Sequence, residues 1–302
     1  MKALVLGADG FMGKKMCQYL IEAGREVKAF DISEMHDLRD INGIECVQGD
    51  FQMIDTIDGL FDDVDEVYDF ICTTIPKSET SSIPHEIEIN LVPLTRLLQK
   101  LHDNSIEKFV FVSSAGTVYG DGKERKEECD RLEPICSYGT LKQVSEAYIE
   151  LYNRKYGHNY RIARVSNPYG VGQHKYKTQG IIPIFIDAIM SGQPITIYGD
   201  GDKMRDYIYI DDVIEALYLV CNYDNRDRYI FNIASGESHS INELVDILED
   251  EVGRFTQINH GKPRDCDVDC NLVDISRTVD SLKWRPKVGL KEGINKTYKL
   301  MR

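Results

Sequence analysis

The sequence contains no apolar run near the ~20 residues that a membrane-spanning helix requires. The N-terminal apolar stretch ends at Leu6 and no cleavage site follows, which argues against a signal peptide. The eight cysteines are scattered, and even Cys266 and Cys270 have neither a second pair nor a nearby histidine to complete a zinc site. We therefore expect a cytoplasmic protein with reduced thiols, no bound metal and no membrane partner.

Basic residues are also scarce. Lys and Arg number 36 against 50 Asp and Glu, which gives a formal net charge of −14. A field of this sign repels nucleic-acid phosphates, so we expect no nucleic-acid partner. The net charge does not rule out an anionic small ligand, because a few arginines and backbone amides can hold a phosphate locally.

At ~150 residues per domain, the 302 residues predict about two domains.

Short apolar runs alternate with helical patterns in the first half of the chain. The predicted strands are Lys2–Leu6, Glu26–Phe30, Glu45–Gln48, Glu66–Ile71, Lys108–Ser113 and Tyr160–Val165, and the predicted helices are Phe11–Ala23, Glu86–His102 and Ser137–Tyr156. This alternation predicts an α/β fold with a doubly wound parallel sheet.

The alternation loosens from Asn167 onward. The later strand-like segments are Ile195–Tyr198 and Tyr229–Ile233, and the later helices lie near Asp212–Cys221 and Asn242–Glu251. We predict one domain over residues 1–166 and a smaller α/β domain over 167–302, some segments of which return to the first.

Gly7, Gly10 and Gly13 stand between the first predicted strand and the first predicted helix. In dinucleotide-binding proteins the first such glycine permits the sharp turn, the second lets the backbone approach a pyrophosphate, and the third lets helix and strand pack closely. The helix N-terminus then offers free amides and a partial positive charge to the phosphates. The first domain is therefore predicted to bind a dinucleotide.

Two acids favour NAD as that dinucleotide. Asp31 ends the second strand, where a carboxylate can bind both ribose hydroxyls and repel the 2′-phosphate of NADP. Asp50 follows the third strand, where the adenine edge is expected. The alternative to NAD binding is that the glycine loop is a turn without a ligand and that Asp31 is a solvated surface acid.

The pattern Tyr-x-x-x-Lys occurs twice, at Tyr119/Lys123 and at Tyr138/Lys142. The first contains two glycines and predicts a turn. The second opens a predicted helix, where residues i and i+4 share a face and the ammonium lies beside the phenol. That contact favours the phenolate and can lower a pKa of ~10 toward neutrality, as a general base for an alcohol requires.

Several motifs together resemble the extended short-chain dehydrogenase/reductases, in the nucleotide-sugar epimerase branch whose archetype is UDP-glucose/UDP-galactose 4-epimerase. The motifs are Gly7-Ala8-Asp9-Gly10-Phe11-Met12-Gly13, Ser113-Ser114 followed by Thr117-Val118-Tyr119-Gly120, Ser137-Tyr138-Gly139-Thr140-Leu141-Lys142, Asn167-Pro168-Tyr169-Gly170 and Arg205-Asp206-Tyr207-Ile208. The resemblance covers nearly the whole chain.

The resemblance implies a role for each matching residue. Tyr138 would be the base, Lys142 its partner and a nicotinamide-ribose ligand, and Ser114 a hydrogen-bond partner of the substrate hydroxyl. The other implied cofactor contacts are the Phe11 and Met12 amides and Asn90, and the implied contacts to the nucleotide sugar are Asn167, Arg205, Arg264 and Asp267. Arginine suits a diphosphate because its fork binds oxygens bidentately. The long helices 86–102 and 137–156 would form a homodimer interface.

The chain departs from the family pattern after the fifth strand, where the segment from Ser113 to Gly120 is one residue longer. Counting from the strand places the catalytic hydroxyl at Ser114, whereas counting back from Val118 reaches Ala115, which has none. We favour Ser114, with Thr117 second. After the fourth strand, the segment 71–76 replaces a pair of small residues that the family usually has. Asn271 occupies the position that limits N-acetyl groups in the family, and its middle size does not decide the question. The identity of the sugar is therefore left undecided.

The reaction follows from what the catalytic loop lacks. Dehydratases of the superfamily carry an acid after the catalytic hydroxyl, and Ala115-Gly116-Thr117 contains none. Asp31 disfavours a net reduction that uses NADP. We therefore expect an NAD-dependent 4-epimerase of a nucleotide-diphosphate sugar, with another NAD(P)-dependent nucleotide-sugar enzyme, or a non-catalytic NAD-binding regulator, as the alternatives.

Overall fold

The computed structural model describes residues 1–76, 82–173, 180–264 and 267–302. Its strands are β1 (Lys2–Leu6), β2 (Glu26–Asp31), β3 (Ile44–Gln48), β4 (Glu66–Asp69), β5 (Lys108–Ser114), β6 (Arg161–Val165), β7 (Asn167–Tyr169), β8 (Ile195–Tyr198), β9 (Met204–Tyr209), β10 (Ile230–Ile233), β11 (Ser238–Ser240) and β12 (Ile258–Gly261). Its helices are α1 (Phe11–Glu22), α2 (His36–Arg39), α3 (Ile83–Glu86), α4 (Val92–Asp103), α5 (Ser137–Tyr156), α6 (Ile181–Ser191), α7 (Ile210–Cys221), α8 (Ile241–Val252), α9 (Ser276–Leu282) and α10 (Leu290–Met301), with a 3₁₀ helix at Phe51–Thr56 and a π-helical turn at Ile87–Leu91.

Seven strands form the central sheet, in the order β10-β6-β5-β4-β1-β2-β3. Every neighbouring pair is parallel. The chain reverses direction across the sheet between β1 and β4, and in such sheets ligands bind in the crevice at the carboxyl ends of the strands at this point. The predicted doubly wound parallel sheet is confirmed.

The sheet is covered on both faces, which explains why its strands are short continuous apolar runs. Successive residues of β1 alternate between two hydrophobic clusters: Ala3 and Val5 pack into one, Leu4 and Leu6 into the other. All four side chains are fully buried. The carboxyl ends of these buried strands are thereby held at fixed positions.

The second half of the chain contributes one strand to the central sheet and forms two smaller sheets outside it. Strand β10 pairs with β6 in the central sheet. Two smaller sheets, β11-β9-β7 and β12-β8, lie outside it. The division into domains of residues 1–166 and 167–302 stays a prediction.

The long helix predicted over 86–102 contains an irregular turn. The chain forms α3, the π-helical turn at Ile87–Leu91 and then α4. Pro93 stands in the first turn of α4 and cannot donate a backbone hydrogen bond to the preceding turn, which favours a break in the regular pattern there. The fourth strand also ends earlier than predicted, at Asp69 instead of Ile71.

None of the helices in the described ranges is long and apolar enough to cross a membrane. The cysteines in those ranges are free thiols. Cys266, one of the two cysteines singled out from the sequence, lies outside the described residues.

Candidate active site

The glycine loop, residues 7–13, connects β1 to α1 at the reversal point of the sheet. Gly7 has a φ of +79°, a conformation that L side chains rarely adopt. A Cβ on Gly13 would come within 2.1 Å of the Gly7 carbonyl oxygen, so only glycine permits this close packing of helix on strand. Loop and helix therefore have the shape predicted for a dinucleotide site.

The N-terminus of α1 fits an anionic group. Its N-cap is Gly10, no side chain caps it, and its first turn contains no acid. The amides of Phe11 and Met12 belong to that first turn, where a helix leaves backbone donors unsatisfied and carries a partial positive charge. These amides lie where the pyrophosphate of a dinucleotide is expected.

Asp31 ends β2 at the rim of the glycine loop. Its Oδ2 accepts a hydrogen bond from the Asp9 amide and its Oδ1 accepts one from the Ser33 amide, each at 3.0 Å. Both oxygens keep lone pairs for a further donor such as a ribose hydroxyl. Asp50 instead caps the 3₁₀ helix, where its Oδ1 accepts a hydrogen bond from the Gln52 amide at 2.9 Å.

The structure brings Tyr138 and Ser114 together. Tyr138 lies in the first turn of α5 and Ser114 is the last residue of β5. Burial raises the pKa of the Tyr138 phenol well above its ordinary value, and a hydrogen bond from the Ser114 side chain opposes that rise. Thr117 lies differently: its Oγ1 is buried with no hydrogen-bond partner among the described residues.

The predicted effect of Lys142 on Tyr138 is wrong for the chain alone, since the pKa of Tyr138 is raised instead of lowered. Lys142 is on the expected face of α5, 5.9 Å from the centroid of the Tyr138 ring. Its Nζ, however, donates a hydrogen bond of 2.7 Å to the Val112 carbonyl and lies 4.5 Å from the centroid of the Phe111 ring. Burial of the phenol outweighs any benefit from an ammonium held in this way.

A carboxyl that the sequence did not suggest lies beside this lysine. Asp69 is 2% exposed at the end of β4 and accepts a hydrogen bond from the Ile71 amide at 2.9 Å. Burial raises its pKa to about 6, and the nearby charge of Lys142 limits the rise. The only feature of the sequence that could have pointed to Asp69 is its position as an acid at the end of a buried parallel strand.

Asn90 lies in the π-helical turn and holds the segment 71–76 in place. Its Oδ1 accepts a hydrogen bond from the Thr73 amide, and its Nδ2 donates to Thr74 Oγ1 and to the Glu86 carbonyl, each at 2.9 Å. The Glu86 side chain is buried and accepts a hydrogen bond from Ser137 Oγ. Sequence reasoning missed Glu86, which had the pattern of a helix-surface acid.

The second half of the chain reaches the catalytic loop through two amides. Asn167 Nδ2 donates to the Asp206 carbonyl at 2.7 Å and lies 3.5 Å from Asn271 Oδ1. Asn271 Nδ2 donates in turn to the Ala115 carbonyl at 3.0 Å. Ala115, the residue after Ser114, is thereby joined to Asn271, the position that was predicted to limit N-acetyl groups on the sugar.

The basic residues predicted for the diphosphate form two groups. Arg205 donates to the Val268 carbonyl at 2.7 Å and lies 3.8 Å from the Asp267 carboxylate. The Arg264 guanidinium stacks on the Tyr198 ring at 3.5 Å from its centroid. The backbone joins the groups, because the Asp267 amide donates to the Arg264 carbonyl at 3.3 Å.

The tyrosine of the other Tyr-x-x-x-Lys match, Tyr119, belongs to a buried network. The Tyr119 hydroxyl donates to Asn232 Oδ1 at 2.6 Å and accepts from Arg164 Nη1 at 2.9 Å. Arg164 pairs with Glu146 of α5 at 2.7 Å. This network joins α5 to β6, so Tyr119 has a structural environment quite unlike that of Tyr138.

Comparisons with known proteins agree with this geometry. The sequence matches the NAD dependent epimerase/dehydratase family over residues 3–234, more than half of the chain. A Methanocaldococcus jannaschii protein, named as a candidate UDP-glucose 4-epimerase, is 34% identical over 99% of this chain and 98% of its own length. The dTDP-4-dehydro-6-deoxyglucose reductase of Escherichia coli is 31% identical over 99% of this chain and 97% of its own length.

A solved structure shows the same fold. The Thermus thermophilus UDP-glucose 4-epimerase, crystallised in complex with NAD, superposes with a TM-score of 0.92 at 28% identity, covering 100% of this chain and 99% of that one. Sequence, sheet order and glycine loop thus lead to one conclusion: the chain belongs to the NAD dependent epimerase/dehydratase family, whose members include nucleotide-sugar 4-epimerases.

Proposed function

We propose that this protein is an NAD-dependent epimerase that inverts the C4 hydroxyl of a nucleotide-diphosphate sugar through a keto intermediate. The observation that carries the proposal is the pairing of Tyr138 with Ser114, the last residue of β5, at the same carboxyl edge of the sheet as the glycine loop after β1. A hydroxyl that orients the substrate and a phenol that takes its proton are what alcohol oxidation requires of a protein.

The residues present fit NAD. Gly7, Gly10 and Gly13 allow close approach of the backbone, and the amides of Phe11 and Met12 would bind the pyrophosphate. Asp31 would hold the adenine ribose, with Asp50, Asn90 and Lys142 as further contacts. NAD, when bound, accepts and returns the hydride; the protein supplies orientation and electrostatics.

Tyr138 would take the proton of the sugar hydroxyl while Ser114 holds that hydroxyl in place. Burial keeps this phenol protonated near neutral pH in the chain alone, because it raises the pKa of Tyr138. The Lys142 ammonium shares the face of α5 with Tyr138 and supports the phenolate once negative charge develops there. The phenol can accept the substrate proton only after its own proton has left for solvent, a step that positive charge gathered around the phenol would favour.

The nucleotide would bind on the far side of the catalytic loop. Arg205 and Arg264 would hold the diphosphate, Asp267 the ribose, and Asn167 would contact the diphosphate near Ala115. This arrangement anchors one end of the substrate and leaves the sugar free to turn between hydride removal and return. The reaction needs no acid after Ser114, and the loop there contains none.

We also propose a homodimer formed through α4 and α5. Leu151 and Tyr148 on α5 are 43% and 39% exposed, and Val92 on α4 is 37% exposed, so both helices carry apolar surface without cover in the monomer. Light scattering of the purified protein would show twice the chain mass, and a monomer at micromolar concentration would refute the dimer.

The direct test of the proposed function combines two measurements. Denatured protein should release NAD into the supernatant. The native protein, with no added nicotinamide, should interconvert the C4 epimers of one nucleotide sugar in a panel of UDP-, dTDP-, GDP- and CDP-sugars followed by NMR. Turnover by protein proven free of nicotinamide would refute the mechanism.

A reductase of a nucleotide-bound keto sugar is the second candidate, favoured by the 31% identity to the Escherichia coli reductase. The two functions differ in nicotinamide balance. An epimerase returns each hydride to its substrate, whereas a reductase consumes one NADH for every product. Loss of absorbance at 340 nm with a 4-keto sugar, without activity on any 4-hydroxy sugar, would select the reductase.

A further inference from the structure

Asp69 is a buried acid that the proposed mechanism does not use. It ends β4 and is 2% exposed. In the parallel sheet it lies opposite Leu6, the last residue of β1, and the glycine loop begins at the next residue, Gly7. A carboxyl group is thus held at the sheet edge beside the predicted dinucleotide loop.

Asp69 also shares a small cavity with Lys142. The lining of this cavity includes both of these side chains together with Asn90 and Cys72. Among the described residues that line it, Asp69 is the one acid and Lys142 the one base. Asn90 and Lys142 are both proposed contacts of the cofactor, so the carboxyl group lies in the part of the site that the cofactor would meet.

The protein balances the charge of this carboxylate only in part. One oxygen of Asp69 accepts a hydrogen bond from the Ile71 amide at 2.9 Å, which is the single hydrogen bond of the carboxyl group within the described ranges. The Lys142 ammonium donates instead to the Val112 carbonyl at 2.7 Å. The other carboxylate oxygen is therefore left for a further positive group in this cavity.

An ionised Asp69 is costly to the fold. Burial raises the pKa of Asp69 to about 6, so the carboxylate is charged at neutral pH in spite of its desolvation. An asparagine would offer the same acceptor to the Ile71 amide without that cost. Buried charges that the fold does not require are typical of binding and catalytic sites.

We propose that Asp69 makes the cofactor site bind NAD⁺ in preference to NADH. The inference rests on the proposed function, because it assigns the redox state in which that site holds its cofactor. The nicotinamide ring is positively charged in NAD⁺ and neutral in NADH, and it is attached to the ribose that Lys142 would bind. The Lys142 ammonium alone would repel the oxidised ring, whereas the Asp69 carboxylate attracts it across a poorly solvated cavity. An epimerase must hold NAD⁺ when its sugar arrives, so this preference serves the proposed reaction.

A purely structural role for Asp69 makes a different prediction. If the carboxyl group only fastens the turn at Ile71, Asp69→Asn retains the accepting oxygen and should change the binding of NAD⁺ and NADH alike. If the charge discriminates, the same change should weaken the binding of NAD⁺ and not that of NADH. The ratio of the two affinities separates these roles.

The experiment equilibrates the purified protein at pH 8 with an excess of mixed NAD⁺ and NADH. After removal of the free nucleotides, the protein is denatured and absorbance at 340 nm gives the NADH share of what was bound. Asp69→Asn should lower the preference for NAD⁺ by about tenfold. Asp212→Asn is the matched control: Asp212 is also buried and accepts a hydrogen bond from the Val288 amide at 3.0 Å, but it does not line this cavity. The control should keep the wild-type preference.

The wild-type protein supplies a second test. Protonation of Asp69 removes its charge, so the preference for NAD⁺ should fall when the pH is lowered from 8 to about 5.5. The other titratable groups that line the cavity are Cys72 and Lys142. Loss of this pH dependence in Asp69→Asn would therefore assign it to Asp69.

Equal preferences in the wild-type protein and Asp69→Asn, or a wild-type preference that does not fall at low pH, would overturn the proposal. The binding ratio also separates it from the proposed function. A shifted preference without turnover of any sugar would refute epimerisation alone, and turnover with an unchanged preference would refute only the role of Asp69.

Discussion

At the scale of single residues, two tyrosines with the same local motif have different surroundings. The Tyr138 hydroxyl meets Ser114 at the sheet edge, whereas the Tyr119 hydroxyl is bonded on both sides within the protein, to Asn232 and Arg164. In the proposed mechanism only the first meets the substrate. Removing each hydroxyl should therefore affect different properties.

Tyr138→Phe should lower kcat by about 10²–10⁴-fold with substrate binding largely kept, because it removes the proton acceptor. Tyr119→Phe should leave kcat of the folded protein near the wild-type value. It should lower the thermal midpoint instead, since it leaves buried partners unsatisfied at a cost of about 1–3 kcal/mol. Near-full activity of Tyr138→Phe would contradict the assignment.

Ser114→Ala should lower kcat, because Ser114 is the hydroxyl that contacts the Tyr138 phenol. Thr117→Ala should have little effect on kcat. Gly116 lies against the serine, since a Cβ built there would be in ordinary contact with Ser114 Oγ at 3.7 Å. The comparison is a kcat measurement on both variants. A larger loss in Thr117→Ala would mean that Thr117 holds the substrate hydroxyl.

Asp69→Asn should stabilise the protein at pH 8 and much less at pH 4. Burial raises the pKa of Asp69 from 3.8 to about 6. The unfolded chain releases the Asp69 proton at a lower pH than the folded protein does. The free energy of unfolding therefore falls as the pH rises from about 4 to about 6. Above about pH 6 this loss of stability stays constant. The full deficit corresponds to about 3 kcal/mol. Thermal midpoints at both pH values test this, and an equal shift at pH 4 and pH 8 would contradict it.

At the scale of elements, the sequence predicted what depends on local pattern. Strand β1 and helix α5 have the predicted bounds, because apolar periodicity and neighbouring glycines define them. The π-helical turn before α4 was not predicted, because the helical pattern continues across it. The contact of Lys142 with the Val112 carbonyl and the burial of Glu86 depend on how distant elements pack, which no local pattern reveals.

Gly13→Ala should disrupt the β1–α1 connection, since its Cβ would lie 2.1 Å from the Gly7 carbonyl oxygen. We expect loss of bound NAD and a lower thermal midpoint. Gly289→Ala is the control: Gly289 precedes α10 with a φ of −67°, and a Cβ there meets no atom within 4 Å. Calorimetric titration with NAD and thermal melting would test both variants. Wild-type NAD affinity in Gly13→Ala would remove the glycine loop from the cofactor site.

At the scale of the whole molecule, the parallel sheet gathers the candidate site. Leu6 of β1 lies opposite Asp69 of β4, and Asp69 lies opposite Phe111 of β5, so the segments after these strands open at one edge. Asn271 reaches the same edge from the second half of the chain through the Ala115 carbonyl. The doubly wound parallel sheet was predictable from the alternation of elements, whereas this last contact was not.

The central claim is that one bound nicotinamide removes a hydride from a sugar carbon and returns it to the other face. The most direct measurement uses a nucleotide sugar deuterated at C4, incubated with the purified protein and no added nicotinamide. The account predicts a C4 epimer that retains its deuterium, with no exchange into water and no net NADH formed. Loss of the deuterium to solvent, or inversion at C4 by protein free of NAD, would contradict it.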